Sequence, residues 1–138
     1  MKKKGFTVSV SIIGLAAVLG LLAWHNTPYH HALRFVEQNA AELSTLIDTG
    51  RPLPLDLGWQ FYNYWDGEHP MTEFILDAKG GTYYGVYYSP DDVPLSFQNA
   101  GLPLEEDSEG GWTWETDGNN RGTTQRLQPG WYYFTADF

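Results

Sequence analysis

Hydrophobic and polar residues follow three rhythms along this chain, and each predicts a different element. From Phe6 to Trp24 the chain runs 19 residues without a charge, with no polar face at any helical spacing. As a helix that stretch would rise about 28 Å, close to the ~30 Å hydrocarbon core of a bilayer. A second rhythm follows: Leu33, Val36, Ala40, Leu43 and Ile47 recur at alternating spacings of three and four. Glu37, Gln38, Glu42 and Thr45 lie off that stripe, so the spacing predicts one amphipathic helix. Thr27 suits its cap and Pro28 its first turn. Gly50 ends it, and Pro52 and Pro54 prevent its resumption.

Beyond residue 58 the period drops to two. Trp59–Trp65, Glu73–Ala78, Thr82–Tyr88, Trp112–Thr116, Thr123–Leu127 and Trp131–Ala136 read as strands rich in aromatic and β-branched residues. Lys79-Gly80-Gly81 marks a hairpin between the second and third. Gln128-Pro129-Gly130 suits a type II turn between the last two, and the last three strands form a meander. Residues 89–111, broken by three prolines and three glycines, read as a long loop with one short helical turn. The predicted fold class is therefore α+β: an N-terminal membrane-spanning helix, then one amphipathic helix packed on a five- or six-stranded, mainly antiparallel sheet.

Charge divides the chain at the same place as hydropathy. The net charge is −9, yet Lys2, Lys3 and Lys4 precede the apolar run and no acid precedes Glu37. From residue 25 onward 17 acids face 5 bases, a balance of −12. A basic triplet before an apolar run holds the N-terminus in the cytoplasm. Residues 1–24 are thus expected to be a signal-anchor helix in the cytoplasmic membrane, uncleaved because Leu21 and Ala23 make a poor cleavage site. Residues 25–138 are expected outside, periplasmic or extracellular, as an acidic domain. The acidity argues against nucleic acid as a partner. The absence of cysteine removes disulfides, thiolate metal sites and thiol nucleophiles.

Two constellations carry what chemistry there is. Twenty of the 22 aromatics follow residue 24, and on several strands they occupy both faces, whereas one helix covers only one. Tyr84, Tyr88, Trp112 and Trp131 are therefore candidates for a binding surface, since tyrosine and tryptophan serve as interface anchors. The segment Trp65-Asp66-Gly67-Glu68-His69-Pro70, with Glu73 beyond it, places carboxylates beside an imidazole. That pairing suits general acid–base work or weak cation binding. Trp65, Asp66, Glu68 and His69 join the candidate binding residues. Asp117–Gly122 resembles the start of a calcium loop, but Arg121 and Gln128 stand where ligands are required, so it reads as a turn. No catalytic, metal or cofactor site is expected. The pattern favours a membrane-anchored extracytoplasmic binding domain for a cationic or envelope protein partner. The alternative is an extracytoplasmic hydrolase or cell-wall glycan-binding protein using Glu68 and His69.

Overall fold

A computed structural model describes residues 16–50 and 59–138. The lysine triplet, the first part of the apolar run and the Pro52 and Pro54 helix stops lie outside the described residues. The chain divides into two compact units, Met1–His31 and Ala32–Phe138.

In the first unit residues 16–25 are helical, and Val18, Leu19, Leu21, Leu22 and Trp24 are each more than half exposed. No helix among the described residues is long and apolar enough to cross a membrane. Helix α1 (Pro28–Gln38) starts as the sequence predicts. Thr27 Oγ1 accepts the His30 backbone N–H at 3.4 Å, satisfying one of the amides that an N-terminal turn leaves unpaired.

The second unit is α+β. The single predicted helix is in fact two, α1 and α2 (Ala40–Thr49), interrupted at Asn39. The Asn39 side-chain amide and backbone N–H both donate to the Phe35 carbonyl, at 2.8 and 3.2 Å. Asparagine competes with the helix in this way through its own side chain. The buried stripe differs from the predicted one. Ala32, Phe35, Val36, Leu43 and Leu46 are buried, whereas Ala40 is exposed and Leu33 and Ile47 only half-buried. Gly50, in the left-handed region at φ 67°, closes α2 with its N–H on the Leu46 carbonyl.

Seven strands form one sheet: β1 (Phe61–Trp65), β2 (Met71–Lys79), β3 (Thr82–Tyr88), β4 (Glu105–Glu106), β5 (Trp112–Thr116), β6 (Asn120–Gln128) and β7 (Trp131–Asp137). Their order is β1-β2-β3-β7-β6-β5-β4, and every neighbouring pair is antiparallel. The strand beyond the expected six is β4, two glutamates with no β-forming signal, fixed only by pairing with β5. Turn chemistry held. Gly80 and Gly81 both have positive φ, as a two-residue type I′ hairpin requires, and Gly130 takes φ 76° in the third position of its turn.

Phe74 meets Phe35, so the face carrying Phe74, Val86 and Trp131 is the helix side. Topology covers the other face. β3 is an interior strand and β4 is the far edge, so the link between them must cross β7, β6 and β5. That link lays Leu95, Phe97, Leu102 and Leu104 over Met71, Ile75, Tyr87, Trp114, Tyr132 and Phe134, which form the main core cluster. Tyr87 and Tyr132 stack there nearly parallel, with centroids 5.1 Å apart. The buried Tyr87 hydroxyl accepts the Leu95 N–H at 2.8 Å and lies 2.7 Å from Thr124 Oγ1, which ties the link to two strands. Two glycines allow this packing. A Cβ at Gly85 would fall on the Phe74 carbonyl, and one at Gly122 would meet the Trp114 ring at 2.5 Å.

Candidate functional site

Three places in the second unit gather chemically distinctive residues. The first is a groove of about 280 Å³ between the helices and the sheet. Val36, Ala40, Leu43 and Ile47 form one wall, Tyr88 and Trp131 the other, with Ser44, Asp48 and Gln128 as polar members. α2 buries Leu43 and Leu46, while half-buried Ile47 and the small, exposed Ala40 border the open space. Tyr88 and Trp131 sit opposite one another on β3 and β7, with ring centroids 5.2 Å apart. The groove offers an aromatic wall with a carboxylate nearby, a combination suited to an apolar or cationic side chain.

The second place is the turn between β1 and β2. Asp66 accepts the Gly67 N–H at 2.9 Å, closing its own turn. His69 is reached by neither Asp66 nor Glu68. Its Nδ1 lies 2.8 Å from Asp91 Oδ2, a carboxylate 22 residues away, and both side chains are nearly half exposed. At that exposure the pair contributes little to stability. The Asn99 amide donates to the His69 carbonyl at 2.9 Å and anchors the turn to the covering link. Among the described residues, no three His, Asp or Glu side chains converge as a metal site would require.

The third place lies directly behind that turn. Glu73 is 0% exposed, on the second face between Met71 and Ile75. Burial pushes its carboxyl up from an ordinary 4.5 to about 7, and the Gln98 N–H on Oε2 at 3.0 Å draws it partway back. The Trp65 ring N–H near the same carboxyl acts in the same downward sense. The two do not meet in hydrogen-bond geometry: Trp65 Nε1 and Glu73 Oε1 are each buried without a partner among the described residues. The turn held by Glu73 is strained, with Gln98 and Asn99 consecutively at φ 53° and 51°.

The eight candidate binding residues therefore separate. Tyr88 and Trp131 share the helix-side groove, with Trp131 only 8% exposed. Trp65 and Trp112 pack against the core cluster on the opposite face. Tyr84 is half-buried, with its hydroxyl pKa raised by burial and by the Asp77 charge. Asp66 and Glu68 are exposed, and His69 is partly so. Sequence reasoning missed Asp91 as the partner of His69, because nothing local joins positions so far apart. It also missed Asp92, which is at φ 52° and bonds the Gly130 N–H at 2.8 Å, the Tyr132 hydroxyl at 3.1 Å and the Arg126 guanidinium. Glu73 did carry a signal: it is an acid in an otherwise apolar alternation, Met71-x-Glu73-x-Ile75.

The chain matches no family model, and neither curated proteins nor solved structures show significant similarity to it.

Proposed function

We propose that this chain is a membrane-anchored binding domain held outside the cytoplasm. Residues 6–24 are the single-pass anchor, with the N-terminus inside. The acidic residues 25–138 recognise a cationic or envelope protein partner. One observation carries the reading. Residues 16–25 form a helix whose large apolar side chains, Val18, Leu19, Leu21, Leu22 and Trp24, are 52–59% exposed, whereas most aromatics of the second unit are buried or half-buried. A helix apolar on all sides wants lipid or another apolar surface around it. The domain's −12 balance supports the choice of partner, since an acidic field speeds encounter with a cationic one. The groove lined by Tyr88, Trp131 and Asp48 supports an anchoring pocket within that surface.

The chain lacks cysteine, so one introduced thiol reports topology without background. Ser108 is exposed in a turn and suits Ser108→Cys. A membrane-impermeant maleimide should label this variant in intact cells, and the protein should stay with membranes through an alkaline carbonate wash. Labelling only after lysis, or release by the wash, refutes the proposal.

A further inference from the structure

The two edges of the sheet are built differently. At one edge β4 is two residues long, both glutamates and both exposed. Shortness and charge are standard means of keeping an edge strand from pairing with another chain. At the other edge β1 carries Phe61-Tyr62-Asn63-Tyr64-Trp65, five residues with no charge, no proline and no glycine. β1 pairs only with β2 among the described strands, so alternate residues direct their N–H and C=O groups outward. Its side chains are not withdrawn either: Phe61 is 40% and Tyr64 64% exposed, and their alternation places one aromatic on each side of the edge.

We infer that β1 is an acceptor edge, to which an extended, basic polypeptide segment adds as an eighth strand. Main-chain hydrogen bonds supply the affinity in this mode, and pockets or charges beside the edge supply the selectivity. The charges here are acidic at both ends. Asp66 and Glu68 are exposed just beyond Trp65, and Asp77 lies 3.3 Å from Gln60 just before Phe61. A second copy of the chain would bring another −12 domain against the first. A segment with lysine or arginine flanking its paired residues meets complementary charge at each end. This rests on the reading of the domain as a binding module for cationic partners, and it names the strand that such a partner engages.

The test uses the full chain in lipid nanodiscs and a short synthetic peptide alternating lysine with valine. A control peptide of equal charge has proline in place of every second residue, so it cannot pair along an edge. The alternating peptide should slow backbone amide exchange in residues 61–65 and leave β4 unchanged. The control should bind roughly tenfold more weakly. Tyr64→Lys, at an exposed position, should cost roughly tenfold in affinity for the alternating peptide without changing the near-ultraviolet circular dichroism. Phe61→Lys provides the same test from the other side of the edge. Equal binding of both peptides, binding without protection of residues 61–65, or no binding at all overturns the inference. None of these outcomes touches the anchor or the topology, whose failure is read separately from the thiol labelling.

Discussion

Glu73 makes stability depend on pH in a direction opposite to that of most carboxylates. Its pKa rises from 4.5 to about 7 in the folded protein, chiefly because burial penalises the charge. A raised acid pKa means that the folded state holds the proton more tightly than the unfolded state does. The stability contributed by this group is therefore fully present below about pH 4.5 and is lost as the pH rises through 7. The difference between 4.5 and about 7 corresponds to about 3 kcal/mol, a large share of the stability of a small domain. Glu73→Gln keeps the shape and an acceptor for the Gln98 N–H but never ionises. Urea unfolding followed by tryptophan fluorescence, on the full chain in detergent, measures both proteins from about pH 4 to about pH 8.5. The stability of wild type relative to the variant should fall by about 3 kcal/mol across that range, and the variant should lack this component. Every other titratable group is common to both proteins and cancels in the difference. Parallel curves would refute the reasoning, because they would mean that the carboxyl is hydrated in solution and that the covering link does not seal it.

The same link gives a second prediction. Phe97 packs its ring against Tyr83, Phe134 and Phe138 at centroid distances of 5.4–5.7 Å, so Phe97→Ala should cost about 3–5 kcal/mol by urea unfolding. Amide exchange in that variant should rise first around Leu95–Leu102, where Tyr87, Glu73 and Ser96 side chains hold the link. Asp92→Asn tests a charge without a backbone penalty, because asparagine tolerates the left-handed φ of 52° at this position. The Gly130 N–H, then Arg126 and the Tyr132 hydroxyl, hold the Asp92 carboxyl below its usual range. Its stabilisation is therefore present at neutral pH and lost as the pH falls through the depressed value, so thermal melts of wild type and variant should converge on acidification.

How much of this was legible in the sequence depends on the range over which each feature is encoded. The strand turns were legible because Gly80, Gly81 and Gly130 encode backbone geometry within two or three residues. The start and end of the helical segment were legible for the same reason, through Thr27 and Gly50. The break at Asn39 was not, because an asparagine off the apolar stripe reads equally well as a solvent-facing residue. The fate of the second aromatic face lay beyond local rules altogether. Whether Tyr87, Tyr132 and Phe134 form a platform or a core turns on strand order, and strand order is a long-range property. Once β3 stands inside the sheet and β4 at its edge, the intervening link has no route except across a face, and its Leu95, Phe97, Leu102 and Leu104 suit that route. The same topology explains why the candidate residues separate into a groove, a core and an exposed turn instead of one site. Their spacing along the strands recorded which face each residue joins, but not what that face meets. An edge is the one part of a sheet whose partner topology leaves open, and β1 is where local sequence, uncharged and aromatic, departs most from the guarding seen at β4.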